Sequence, residues 1–419
     1  MVVKDVTRRS LLLGLVAIGA GSTLGMTREG RAVATQSSPW GVPSDDQLRQ
    51  MFRSRVRCGT RRLYVSGVGS DSNSGSAQAP FREIGTAVRA ARPGDLILVE
   101  TGTYGYTEVR DFHGRDGAWL GIMTAHSRVR AVIHVPAPTD DFVNVVGSSY
   151  VGLYGFEIVG DQDNPNTNGS GLSVYGNSHH VTVWANHIHD FPGGGVNCFD
   201  VGGSHDLVDI SYNTIHGTSK WSPSNTSGIS IYAPRDLTGG ARISDGFGYR
   251  IVGNYVYDVE CRVPFTAGGF SFVTDGNAIS LDLIRDTYGY TKPILVENNI
   301  LAGCGGRGVH AYGTVNVLAR HNTVVGNMRT VSPAITGGAE LDGSTDRTVR
   351  YVENVICPIH TPQTSDQSSA YHANIILGGA QAVPAGNQDL RSQGLGYFVG
   401  PLTRSMTTSG APRAAFAAA

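Results

Sequence analysis

The stretch DGNAISLD at residues 275–282 brings Asp275, Asn277 and Asp282 together, and RGVHAY at 307–312 follows with Arg307, His310 and Tyr312. Carboxylates, an imidazole and a guanidinium are equipment for proton transfer beside an anionic substrate. Removing a proton next to a carboxylate asks for a base and for a positive partner that neutralises the carboxylate. In that scheme His310 or Tyr312 is the base. Arg307, or a calcium ion held by Asp275, Asp282 and Asp286, is the neutralising group. Glycosidic hydrolysis asks instead for two carboxyls, about 5 Å apart for retention or about 6.5–9.5 Å for inversion. Asp275 and Asp282 are up to ~20 Å apart along an extended chain, with Gly276 as a bend between them. A hydrolytic partner for Asp282 is therefore sought in Asp286 or Asp245 from neighbouring loops. The candidate catalytic residues are Asp275, Asp282, Arg307 and His310, and Asp275 also reads as a turn cap. Lys220, Trp221 and Lys292 fall in polar, turn-forming segments able to reach over such a site, and Asn277 can bend the backbone or touch a ligand.

These groups need a scaffold, and a repeat supplies it. The pattern apolar-x-x-Asn-x-apolar recurs around Asn186, Asn213, Asn254, Asn299, Asn322 and Asn354, at spacings of 27, 41, 45, 23 and 32 residues. An Asn returning to one bend of a coil can bond its amide to the Asn of the next coil, forming a ladder. The short spacings fit one coil of a right-handed parallel β-helix, and the long ones a coil that carries a loop. A second column supports this: GLSVY at 171–175, GVNCF at 195–199, GISIY at 228–232, AISLD at 278–282 and GVHAY at 308–312. Each is a period-two strand whose second and fourth places are apolar and face a core. The third and fifth places then face outward and stack at about 4.8 Å from coil to coil. One outward file is Ser173, Asn197, Ser230, Ser280 and His310, and the other is Tyr175, Phe199, Tyr232, Asp282 and Tyr312. Ser280 is thus expected beside His310, and Asp282 beside Tyr312. The rings of Tyr175, Phe199, Tyr232 and Tyr312 form a track on which sugars could stack, unless a long loop covers them.

The predicted fold is all-β, a single right-handed parallel β-helix over 61–402 with a short N-terminal capping helix. The cap is PFREIGTAVRAA at 80–91, whose Phe81, Ile84, Ala87, Val88 and Ala91 share one helical face, because a solenoid must cover its first coil. Residues 35–60 read as a linker or N-terminal segment. The repeat fades beyond Asn354, and 403–419 reads as a flexible tail. The start of the chain, Thr7-Arg8-Arg9-Ser10 before an apolar stretch too short to span a bilayer, reads as a twin-arginine export signal over 1–34 with a cleavage site at Ala32-Val33-Ala34. This implies a secreted or periplasmic protein without a membrane span in its mature chain; a membrane anchor is the alternative.

The 56 glycines among 419 residues suit many tight turns, and a formal net charge of −1 offers no basic face for nucleic acid or membrane surfaces. Five scattered cysteines lack zinc-site spacing, and Cys198 reads as a buried thiol. His187, His189, His205 and His216 read as structural turn residues without metal-ligand spacing.

The segment from Leu63 to Tyr104 resembles the opening of secreted β-helix carbohydrate-active proteins, and the coils through Asn354 resemble the pectin-lyase-like superfamily. The run from Asp275 to Asn327 is similar to the catalytic region of family-nine pectate lyases. That resemblance implies cleavage of an acidic polysaccharide by β-elimination, with a Lys base and calcium held by Asp residues. The chain departs from the pattern: Ser280 stands where the family has its Lys, and His310 where the next coil has an Asp. The resemblance therefore implies a polysaccharide lyase acting on a uronate-containing glycan, with a glycoside hydrolase or a non-catalytic carbohydrate-binding β-helix as alternatives. The residues do not define an oligomeric state.

Overall fold

In a computed structural model of the chain, residues 43–389 are described apart from 128, 136–140, 162–167, 337, 345–346, 361–368 and 378–385. The expected export signal, the end of the helical domain at 402 and the tail at 403–419 lie outside the described residues. The rest is a coil that repeatedly visits three parallel sheets. The first has eleven strands, from Arg62–Val65 to Ser369–His372, and the second has eleven, from Thr103–Tyr104 to Gln388–Asp389. The third has eight, from Thr107–Arg110 to Leu341–Ser344. Every strand pairs with the equivalent strand one coil away, because a parallel neighbour can be reached only after a crossover, here the remainder of the coil. The result is the right-handed parallel β-helix that the sequence predicts.

The inside of the coil is filled by like residues in register. On the third sheet Val143, Leu172, Val196, Ile229, Ile279, Val309 and Leu341 form one continuous file, all fully buried. Each such aliphatic side chain contributes roughly 1.5–3 kcal/mol by leaving water. The Cys198 thiol sits in the adjacent file, buried as expected, and burial pushes its pKa up.

Between the first and second sheets the chain must turn a corner that is buried, and the asparagines make this feasible. Asn186, Asn213, Asn254, Asn299, Asn322, Asn354, Asn374 and Asn387 stack there. From Asn186 to Asn374, each amide Nδ2 donates to Oδ1 of the next at 2.9–3.1 Å. Each backbone N–H donates to the same oxygen, and Nδ2 of Asn254 also reaches the Ile210 carbonyl on the preceding coil. All of the amide's groups are thereby satisfied out of water. The residue before each rung takes a left-handed φ, as at Ala185, Tyr212 and Glu353, and Gly253 meets this demand without strain. The ladder runs two rungs past Asn354, where the sequence reading had it fade. Tyr371, Asn374 and Ile376 do in fact keep the spacing.

Helix α1, Asp45–Arg55, lies within the segment read as a linker. Its Ser44–Gln47 capping box starts it, and Leu48, Phe52 and Val56 pack on Trp119, Met123, Tyr154 and Trp184 from the outside of the first sheet. Arg55 then pairs with Asp209 at 2.8 Å. Helix α2, Ile84–Ala90, is the predicted cap, burying Ile84, Ala87 and Val88 over the first coils. Removing a middle rung with Asn254→Ala leaves the Asn213 donors without acceptors inside the core. We expect a loss of about 2–6 kcal/mol in urea unfolding, from two orphaned donors at about 1–3 kcal/mol each. A change below ~0.5 kcal/mol, the scale of an ordinary surface substitution, would show that the ladder is dispensable.

Candidate functional site

The outer face of the third sheet carries the two files expected from the sequence. Ser173, Asn197, Ser230, Ser280, His310 and Asp342 are in register on successive coils. Tyr232, Asp282 and Tyr312 form the neighbouring file. Tyr175 and Phe199 stack at 4.9 Å with planes 15° apart, and Tyr232 and Tyr312 expose 44% and 42% of their surface. The aromatic track is therefore open to a ligand at its centre. Large insertions lie on both sides of its middle coils. Residues 258–278 enter the strand Ile279–Asp282, and 233–248 and 283–293 follow the strands Ile229–Tyr232 and Ile279–Asp282.

Four groups converge where the track meets Asp282. His310 Nδ1 lies 3.0 Å from Asp342 Oδ2, and Arg307 Nε approaches the same oxygen at 2.6 Å, an ion-pair contact without hydrogen-bond alignment. Ser280 Oγ donates to Asp282 Oδ2 at 3.5 Å. Burial raises the Asp282 carboxyl to about 6, with His310 opposing the rise and Asp275 adding to it. For His310, burial and the nearby Arg307 disfavour the imidazolium. The Asp342 bond and the charges of Asp282 and Asp342 outweigh them, leaving its pKa above the ordinary value. Asp342 is desolvated too, yet His310 and Arg307 hold it ionised below the usual carboxylate range. A carboxylate thus fixes one ring nitrogen of His310 and leaves the other for a reacting atom, beside a carboxyl poised near neutrality.

Asp342 was missed in the sequence. It is the third place of the next strand, Leu341-Asp342-Gly343, but glycine replaces the apolar residue that marks the fourth place.

Other expected residues take different stations. Arg307 is 93% buried, and its terminal nitrogens donate to the Thr274 carbonyl at 3.2 Å and the Ala334 carbonyl at 2.6 Å. It anchors Asp342 and two loops, and does not extend toward an incoming carboxylate. Asn277 is fully buried. It accepts the Arg307 N–H at 2.8 Å and donates to Asp275 at 2.7 Å, so it shapes the backbone and does not line the surface. Gly306 permits this approach, since a Cβ there would lie 2.5 Å from the Asn277 oxygen. Asp275 also accepts from the Thr274 hydroxyl at 2.6 Å, and acts on Asp282 only through its charge. Asp286 pairs with Arg285, and Asp245 with Arg250 at 2.7 Å beside the first sheet, away from Asp282. Asp275, Asp282 and Asp286 do not bring ligand oxygens to a common point among the described residues. With Asp275 and Asp286 already bonded and burial disfavouring charge on Asp282, the set does not fit a calcium cage.

Lys292 is a correction. Its ammonium is buried and bound by Asp206 at 2.6 Å, Asp236 at 2.8 Å and Thr238 at 2.7 Å, so it closes an internal charge network and does not reach over the sheet. Lys220 and Trp221 sit in the turn between the second and third sheets, where the Trp221 N–H donates to the Pro192 carbonyl and Lys220 bears on Asp190. His205 is structural as expected, buried between Tyr249 and the Tyr232 carbonyl. His187, His189 and His216 are strand residues, not turn residues, and they face one another on the second sheet.

A sequence profile for a protein family of unknown function, DUF1565, matches residues 67–112. No curated protein sequence matches the chain. Among solved structures, the chain is similar to pectate lyase Pel9A, with 17% identity, a TM-score of 0.50 and 82% of each chain covered. It is also similar to the GH136 lacto-N-biosidase from Eubacterium ramulus, with 16% identity and a TM-score of 0.53, over 82% of this chain and 64% of that one. Such identities speak to the backbone alone. The chain has a right-handed parallel β-helix fold.

Proposed function

We propose that the outer face of the third sheet binds a uronate-containing polysaccharide and cleaves it by β-elimination. The observation that carries this reading is the Asp282, His310 and Asp342 cluster at the end of an open aromatic track. Tyr175, Phe199, Tyr232 and Tyr312 supply stacking surfaces for sugar rings, and the insertions flank the bound chain. The protein would act outside the cytoplasm, as the twin-arginine signal suggests.

The charges favour one division of labour over the one expected from sequence. Asp282 has a carboxyl pKa of about 6 and His310 a pKa raised above its ordinary value, so the working pair is ionised Asp282 with protonated His310. Asp282 then takes the proton from the carbon bearing the uronate carboxylate. Imidazolium His310, held charged by Asp342, neutralises that carboxylate as negative charge builds. The electron pair left by the proton forms the carbon–carbon double bond as the bond to the glycosidic oxygen breaks, and that oxygen takes up a proton from solvent. Arg307 positions Asp342 from behind. A base with a raised pKa and a preorganised cation are what this chemistry needs. No step is routed through calcium.

Glycoside hydrolysis is the second reading, favoured by the same raised carboxyl, which can serve as a general acid. It needs a second carboxylate, and Asp342 is already committed to His310 and Arg307.

The direct test is ultraviolet absorbance of the full chain with pectate, alginate, glucuronan and glycosaminoglycans, each with calcium and with chelator. We expect absorbance from an unsaturated product, undiminished by chelator. New reducing ends without absorbance would establish hydrolysis instead, and neither signal with any glycan would leave a binding protein. Asp282→Asn and His310→Ala should each lower kcat by ~100-fold or more, whereas Tyr232→Ala should chiefly raise KM.

The pH dependence follows from the same pair. Activity should rise as pH passes about 6, where Asp282 ionises, and fall as His310 loses its proton above its ordinary range. In Asp342→Asn the falling limb should move to lower pH, because the charge that holds the proton on His310 is gone. A profile in which activity falls as pH passes 6 would reverse the assignment of Asp282 from base to acid.

A further inference from the structure

The second sheet, distinct from the face just described, carries a cluster of imidazoles on adjacent coils. His187 and His189 lie two positions apart on one strand and so point to the same side, and His216 pairs with His189 on the next coil. His187 Nε2 and His216 Nε2 face each other at 2.9 Å, and one ring nitrogen from each of the three histidines lies within 4.8 Å of the others. All three side chains are half-buried. Among the described residues no other group of three histidine, cysteine or carboxylate side chains has this spacing.

We propose that His187, His189 and His216 bind a divalent transition metal ion of the zinc class. Zinc held tetrahedrally at about 2.0 Å keeps its ligand nitrogens about 3.3 Å apart, within the range these rings present. The carboxylate partners that commonly accompany metal-bound histidine are also in place. Asp190 accepts from His189 Nδ1 at 2.8 Å, fixing that ring and leaving Nε2 toward the cluster. Glu157, from the coil on the other side, approaches His189 Nε2 at 3.3 Å and is placed to serve as a fourth ligand. The Tyr257 ring stacks on His216 at 4.6 Å and holds it from the far side. The ion would join three successive coils through side chains that the sequence separates by 27 residues or more from one coil to the next, a staple across the stacking direction. Oxygen-preferring ions such as calcium suit three nitrogens poorly.

The test is calorimetric titration of zinc chloride into the full chain after dialysis against chelator. We expect one zinc per chain, with affinity at least ~100-fold weaker in His187→Gln/His216→Gln. Asp190→Asn should weaken binding about 10–100-fold, the usual effect of losing a carboxylate behind a ligand histidine. Cobalt(II) gives a second readout: visible absorption bands of a four-coordinate site in the unmodified chain, absent from His216→Gln. Zinc should raise the unfolding midpoint of the unmodified chain and leave that of the double variant unchanged. Metal-free circular dichroism and unfolding of the variants should match the unmodified chain, because these rings lie outside the coil's core; if the double variant misfolds, the cobalt spectrum of His216→Gln decides. His310→Ala should bind zinc normally. Absence of zinc uptake at micromolar concentrations, uptake unaffected by a folded double variant, or uptake abolished by His310→Ala would overturn the proposal.

Discussion

The fold depends on keeping backbone and amide groups hydrogen-bonded at a corner that water cannot reach. A coil that turns inward must bury polar groups at each bend, and an unpaired one costs about as much as a packed methyl group or two provides. The asparagine ladder removes that cost at the first corner by letting one side chain serve the coil above and the coil below. Once the corner is fixed, strands on all three sheets fall into register. The outward files then follow without further instruction. The site is consequently a property of stacking: Ser280, His310 and Asp342 are neighbours because their coils are neighbours.

Two buried ion networks show how similar groups can be put to different ends. Lys292 is enclosed by Asp206, Asp236 and Thr238 and joins the coil to an inserted loop. Arg307 is as deeply placed, but the carboxylate it holds, Asp342, also grips a histidine that faces the open sheet. The first arrangement is closed on itself. The second passes its charge outward, so that His310 holds a proton more tightly than a free imidazole while Asp282 gains basicity from burial. Buried pairs of this kind add little net stability compared with apolar packing, and the second shows what such a pair can do when one end is left open.

Period-two strands and a recurring Asn made much of this legible. They predicted the coil and the pairings of Ser280 with His310 and Asp282 with Tyr312, and the apolar face of residues 81–91 predicted the capping helix. The misses have local physical causes. Gly343 hid Asp342 by breaking the apolar alternation, and Lys292 looked solvated because a polar turn segment does not reveal that it folds over Asp206. The nearness of His187, His189 and His216 escaped because ligand spacing is learned from hairpins and helices, where ligands are close in sequence. In a solenoid the relevant neighbour is a whole coil away. Helix α1 was signalled by Ser44, Gln47, Leu48 and Phe52, but its apolar face is narrow and its other residues are strongly polar.

The ladder has a consequence for how such a molecule can change. Successive rungs are separated by 13, 20, 23, 27, 32, 41 and 45 residues, yet their amide bonds are nearly identical. The rungs register the completion of a turn and are indifferent to the amount of chain spent on it. Loop-closure entropy grows only slowly with length, so extra residues at the other bends are tolerated. The walls of the third sheet can therefore lengthen, shorten or be exchanged by drift or by engineering while the floor beneath them keeps its alignment. New ligand preferences are thereby open to the chain without a new fold.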